Sequence, residues 1–289
     1  MKRLILGIAA AAALVTSVQA QDAARYQLPP DPIVRILDTP PQPAVAVSPD
    51  RDTMALMGRA NLPSIAELAA PSLKLAGYRI NPRNNGPANS RIQWLNALSF
   101  QGVDGQAPRN VALPQGARFT NPVWSPDGEH LAFLVDADTR LDLWVADART
   151  GRARRLGAPA VNATFPGALS WLPDSSGLLV RLAMPSRPEA ERAEVPTGPI
   201  VQENAGRTAP VRTYQDLLSS PADERLFERY FTSQLAVVGL DGGAPRRIGQ
   251  PGLIWGSSVS PDGRYLLQTR AKRPYSYVVP TPLFPTEIT

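Results

Sequence analysis

Apolar residues in this chain come in short runs behind one recurring polar turn. AVAVSPDRDTMALM starts at Ala44, PVWSPDGEHLAFLV at Pro122, LSWLPDSSGLLVRL at Leu169 and SSVSPDGRYLLQTR at Ser257. Aligned on Pro-Asp, Ser48, Ser125, Leu172 and Ser260 share one column, and Asp50, Asp127, Asp174 and Asp262 share another. Met54-Ala55-Leu56, Leu131-Ala132-Phe133, Leu178-Leu179-Val180 and Leu266-Leu267-Gln268 occupy the strand that follows. Internal repeats made of short strands and turns define stacked β-units.

A second pattern completes the unit. LWVADARTGRARRL ends at Leu156, LAVVGLDGGAPRRI at Ile248 and the weaker LSFQGVDGQAPRNV at Val111. Asp104-Gly105 matches Asp241-Gly242, and Asp-Gly between apolar runs marks a hairpin because Gly accepts positive φ. One repeat is thus roughly four strands, best seen over 123–156. The fold class this predicts is all-β: a β-propeller with about four to five blades represented in an incomplete ring, carrying short helical insertions.

The remaining segments fit around that repeat. Residues 21–43 are Pro-rich and predicted to run extended. NLPSIAELAAPSLKLAGYRINPRNN places Ile65, Leu68 and Ala69 on one helical face until Pro71 stops it. RIQWLNALSFQ reads as a strand, 118–156 as the clearest blade and 167–183 as the start of the next. Residues 184–210 read as a long exposed loop. TYQDLLSSPADERLFERYF carries two short helical stretches, the first capped by Thr213, the second with Leu226, Phe227, Tyr230 and Phe231 as its apolar face. After RPYSYVVP the terminal FPTEIT shows no closing strand. The domain reading is therefore a partial propeller over 44–289, with insertions near 60–90 and 184–232.

Composition narrows the classes. Thirty-one prolines exclude long helices through most of the chain. Lys2-Arg3, the apolar run 4–15 and Val18-Gln19-Ala20 read as a signal peptide cleaved after Ala20, which predicts a periplasmic or secreted protein. There is no cysteine, so neither disulfides nor thiolate metal sites are available. The formal charge is +5, two of it from Lys2 and Arg3, and the remaining Arg residues are scattered. No basic stripe with interleaved aromatics supports a nucleic-acid partner, and no segment beyond the signal is apolar enough to cross a membrane.

The candidate chemistry is sparse. His130, the one histidine, aligns with Tyr265, Thr53 and Gly177 just after the turn, which reads as a strand residue and not a general base. Asp50, Asp127, Asp174 and Asp262 suggest a repeated cation site, but Asp after Pro holds its own turn, and four residues placed one per blade are expected to radiate apart. Trp94, Trp124, Trp144, Trp171 and Trp255 read as blade packing. No catalytic, cofactor-binding or metal residue is assigned, and no cofactor.

LPSIAELAAPSLKLAGYRINPRNN, VPTGPIVQENAGRTAPVRTYQDLL and KRPYSYVVPTPLFP together carry a resemblance. Over residues 21–289 the chain resembles the amino-terminal half of the glutamyl endopeptidase group within the prolyl oligopeptidase family of serine peptidases. The resemblance implies a propeller that precedes an α/β-hydrolase domain with a Ser, Asp and His triad, and that restricts which peptides reach it. That hydrolase part is missing from these residues: Gly256-Ser257-Ser258-Val259-Ser260 lacks the closing Gly of a GxSxG elbow, and Asp174-Ser175-Ser176-Gly177 lacks the opening one. Peptide substrates are thus expected only through the missing domain, and the chain alone is expected to be inactive and poorly soluble, as an open ring exposes strand edges. On the same resemblance Arg154-Arg155 and Arg246-Arg247 are either a solvated face or charges facing a peptidase chamber. The alternative is a stand-alone periplasmic TolB-like propeller that binds a protein partner.

Overall fold

The computed structural model describes residues 29–60, 62–63, 65–88, 94–185 and 214–289. The signal peptide, Thr213 and most of the loop expected over 184–210 lie outside them. The chain divides into two units, Met1–Thr39 and Pro40–Thr289. In the first, Asp31–Asp38 forms helix α1 instead of extended chain. Pro32 suits the opening turn of a helix, and Ile33, Ile36 and Leu37 recur at helical spacing.

The second unit is built from antiparallel sheets. In blade 1, β1 (Ala44–Val47) pairs with β2 (Thr53–Arg59). A long insertion follows, with α2 (Ile65–Leu68) and a small sheet of β3 (Leu73–Leu75), β4 (Tyr78–Asn81) and β5 (Gly86–Pro87). Blade 1 is completed by β6 (Leu95–Gly102) and β7 (Arg109–Asn110). Blade 2 is β8 (Phe119–Trp124), β9 (His130–Asp136), β10 (Leu141–Asp147) and β11 (Ala153–Arg155). A single pair, Leu95 with Phe119, joins it to blade 1 at a corner.

Blade 3 is β12 (Leu169–Trp171), β13 (Gly177–Ala183), β14 (Ser233–Gly239) and β15 (Arg246–Gly252), with helix α3 (Pro221–Phe231) between β13 and β14. Blade 4 has β16 (Ile254–Val259), β17 (Leu266–Ala271) and β18 (Thr286–Ile288). FPTEIT therefore does supply a strand: Thr286 pairs with Ala271 and Ile288 with Thr269. Its short alternation is too weak to read as a strand without the neighbour that it extends.

Each middle blade is buried on both faces, so its strands read as continuous apolar runs. Along β9, Leu131, Phe133 and Val135 enter the core shared with blade 1, while Ala132 and Leu134 enter the core shared with blade 3. Along β13, Leu178, Val180 and Leu182 face blade 2, and Leu179 faces blade 4. This two-sided packing between sheets, with the four-strand meander, is that of an incomplete β-propeller.

Candidate functional site

The four Pro-Asp turns have one geometry. The residue two past Pro takes positive φ in each: Arg51 at 65°, Gly128 at 74°, Ser175 at 59° and Gly263 at 71°. Its N–H returns to the residue before Pro, as in Gly128 N to Ser125 O at 3.0 Å. Each aspartate accepts the backbone N–H two residues on, from Asp52, Glu129, Ser176 and Arg264. Ser125 and Ser260 donate their hydroxyls to Asp127 and Asp262 at 2.5 Å, and Ser48 donates to Asp50. These bonds hold the carboxyls of Asp174 and Asp262 below the ordinary range, the Ser176 and Ser260 hydroxyls contributing most. For Asp127, burial pushes the other way, and the bonds from Ser125, Glu129 and Ser175 outweigh it.

The turns do not all radiate apart. Ser175 Oγ accepts the Asp127 N–H at 3.1 Å, and a Cβ on Gly128 would lie 2.8 Å from the Asp50 carboxylate. Successive turns of blades 1, 2 and 3 therefore touch at one end of the propeller. Asp127, Glu129 and His130 place ligand atoms within 4.8 Å of one another there, but Asp127 Oδ1 is already committed to the turn. His130 lies 6.2 Å from the Trp171 ring, and its Nδ1 has no hydrogen-bond partner among the described residues, so no carboxylate orients the ring through that nitrogen.

The opposite end carries the larger construction. In each blade the connection from second to third strand, and the crossing to the next blade, emerge opposite the Pro-Asp turns. Every buried residue of one aromatic cluster comes from those connections or the strand ends beside them. Leu75, Ala76 and Ile80 come from the blade 1 insertion and Phe165 from the crossing to blade 3. Leu218, Phe227, Tyr230 and Phe231 come from the α3 segment, and Leu253, Ala271 and Phe284 from the blade 4 side. Phe165 packs on Phe231 at 4.6 Å between ring centroids, and Phe227 on Phe231 at 4.8 Å.

Polar contacts fasten this cap. α3 starts at Ser220, whose hydroxyl accepts the Asp223 N–H, with Pro221 in the first turn. Arg273 holds Glu224 at 2.6 Å and Glu228 at 2.9 Å, while Tyr275 and Tyr277 donate to Glu228 and Glu224. Arg79 pairs with Asp216 at 2.6 Å, and Gly77, at φ 92°, leaves room for Pro280, whose Cβ would lie 2.5 Å from a side chain there. The Thr281 N–H donates to the Ala76 carbonyl at 3.0 Å. Beside α3 a cavity of about 360 Å³ is lined by Glu228, Leu253, Arg270, Lys272 and Tyr275, among others.

Beneath the cap lies Arg181, which no motif singled out. It follows Leu179 on the face of β13 toward blade 4 and is 2% exposed. Its guanidinium donates to the carbonyls of Ile254 at 2.9 Å and of Phe165 and Pro166 at 2.6 Å. Burial pulls its pKa down to about 10, against the field of Tyr78. An arginine amid Leu-Leu-Val-Arg-Leu was the one sequence signal available.

The remaining candidates find plain roles. Trp124 and Trp171 are packing residues whose Nε1 atoms bond to the neighbouring blade. Arg154 and Arg155 sit on β11 and Arg246 and Arg247 on β15, the outermost strands of their blades. Arg155 pairs with Asp142, and Arg154 donates to the Leu240 carbonyl. The repeat fixed their strand, but not which side of the blade that strand would occupy.

The described residues define an incomplete β-propeller capped at one end by an aromatic cluster. No protein-family profile matches the chain. Over 278 residues, 91% of its length, it is 36% identical to the probable chloroplastic glutamyl endopeptidase of Oryza sativa subsp. japonica and 38% identical to that of Arabidopsis thaliana. The chain is thus similar to these two proteins over nearly all of its own length, and it spans 28–29% of theirs. A 58-residue stretch, 20% of the chain and 13% of the other protein, is 38% identical to the Tol-Pal system protein TolB of Chromobacterium violaceum. Among solved structures, an acylaminoacyl peptidase aligns over 86% of this chain and 30% of its own at 15% identity and a TM-score of 0.45. The fold assignment rests on strand pairing and not on that overlay.

Proposed function

We propose that this chain is the substrate-gating propeller portion of an exported serine-type glutamyl endopeptidase, with hydrolysis performed by a hydrolase domain that these residues do not include. One observation carries this reading: the stretches that bear the family resemblance contribute to a single aromatic cap at one end of the blades. A gate needs a rigid frame and an obstruction at its mouth. The blades supply the first, and the cap supplies the second. Export rests on residues 1–20 and predicts a processed protein beginning at Gln21, checked by intact mass.

The test is a chimera in which this chain replaces the matching 278 residues of the rice relative. Cleavage of short Glu-containing peptides should persist, with folded proteins excluded. Phe227→Ala, which loosens the cap, should admit larger substrates. A chimera that digests folded protein as fast as short peptides would defeat the gating reading. The TolB likeness favours a second reading, a protein-binding scaffold. An inactive chimera and a stable complex between the isolated chain and an envelope protein would support it.

A further inference from the structure

The cavity beside α3 lies where blade 3 meets blade 4, and one charge in its wall has no counter-ion. At about 360 Å³ it falls at the small end of the roughly 300–1,000 Å³ that ligand pockets span. Pro251, Leu253 and Ala271 make part of the wall apolar. Glu228, Arg270 and Lys272 make the rest charged.

Two of those charges are already matched. Glu228 is held by Arg273 at 2.9 Å and by the Tyr275 hydroxyl at 2.7 Å. Lys272 pairs with Glu287 at 2.8 Å. Arg270 forms no ion pair among the described residues, although Glu287 feels its charge through space. Its Nε donates to Gln268 Oε1 at 3.0 Å and its Nη2 to the Gln250 carbonyl at 2.8 Å, both neutral acceptors. Nη1 is left, and it lies over Gly252, itself a wall residue: a Cβ there would sit 3.5 Å from that nitrogen. Ser233, paired with Gly252 across β14 and β15, is 1% exposed, and its Oγ has no hydrogen-bond partner among the described residues. Buried hydroxyls are ordinarily bonded, so this one singles out the same wall.

We propose that this cavity binds a single carboxylate on a short aliphatic stem, with the carboxylate on Arg270 Nη1 and the stem against Pro251 and Leu253. Hydrogen bonds between a guanidinium and a carboxylate are short and roughly twice as strong as neutral ones. One unmatched cation suits a monoanion, whereas a phosphate dianion would bring a second charge into a partly desolvated site with nothing to meet it. The same chemistry is offered by a free short-chain acid and by an acidic side chain of a peptide. Both walls belong to residues of this chain, and the inference does not rest on the peptidase reading.

Saturation-transfer NMR on the 289-residue protein tests it, with butyrate and acetyl-Ala-Asp-Ala-amide as separate probes. Binding of butyrate alone would support the site and assign a free acid, and binding of the peptide would support it and assign an acidic side chain. Arg270→Gln should weaken whichever probe binds by about tenfold or more. Arg270→Lys, which keeps the charge and loses the planar fork, should fall between the two and carries the test if Arg270→Gln does not melt cooperatively. Arg247→Gln, on the outer strand of blade 3, should leave binding unchanged. Binding of neither probe, tighter binding of inorganic phosphate than of either, or Arg270 variants that bind as the parent does would overturn the proposal.

Discussion

The indole Nε1 of Trp171 donates to the carbonyl oxygen of Val123 at 2.9 Å, tying the inner strand of blade 3 to that of blade 2. Trp124 repeats the bond to Ala46 at 3.1 Å across the previous junction. The tryptophan before a Pro-Asp turn thus fills the space between blades and satisfies a carbonyl on the neighbour's inner strand. Trp171→Phe keeps most of the ring and removes the donor. It should lower stability by about 1 kcal/mol in urea unfolding, the cost of losing one part-buried hydrogen bond. An unchanged midpoint would show that the bond contributes nothing beyond packing.

The cap should depend on its aromatic interior more than on its ion pairs. Phe227 is fully buried, and Phe227→Ala should cost about 3–5 kcal/mol. The Arg273 side chain is half-exposed, so Arg273→Ala should cost much less than Phe227→Ala despite its two carboxylate partners, because solvent screens exposed ion pairs. Thermal unfolding of both variants checks the ordering. A larger loss from Arg273→Ala would contradict it.

Acid should weaken the turns. Asp127, Asp174 and Asp262 all sit below the ordinary value of 3.8, so their ionised forms favour the folded state. That contribution is complete above the unfolded value and is lost as pH falls through the lower, folded ones. Tm should therefore be flat near neutrality and fall below about pH 4. Ser125→Ala removes a bond that lowers Asp127 and should make the acid loss shallower. A Tm that rises on acidification through this range would contradict the sign.

Arg181 works against its own burial. Its charged form is disfavoured in the folded state, so that penalty is present at neutral pH and relieved as pH rises through about 10. Arg181→Met removes the penalty but leaves three carbonyls without their donor. The net loss should be about 1–3 kcal/mol, visible in chemical denaturation near pH 7. A variant as stable as the parent would mean that the staple between blades 3 and 4 is dispensable.

Local features of the fold were readable in the sequence, and the assembled ones were not. The Pro-Asp column marked the inner hairpin of every blade because the turn makes its own bonds within five residues, as Ser260 does with Asp262 and Tyr265. The cap joins Leu75 to Phe284, a distance in sequence that no periodicity spans, so its three stretches showed only as unusual insertions. α1 was hidden by flanking prolines, although Pro32 suits a first helical turn. Arg181 could be noticed as a charge in an apolar strand, but its three carbonyl partners come from the crossing to blade 3 and from the first residue of β16, far apart in sequence.

The most direct measurement of whether this chain gates chemistry without performing it is active-site labelling of the purified 289-residue protein. A fluorophosphonate probe and a Glu-containing fluorogenic peptide are applied together. No covalent adduct and no turnover above the buffer rate are predicted. A labelled serine with turnover that the same probe abolishes would contradict it.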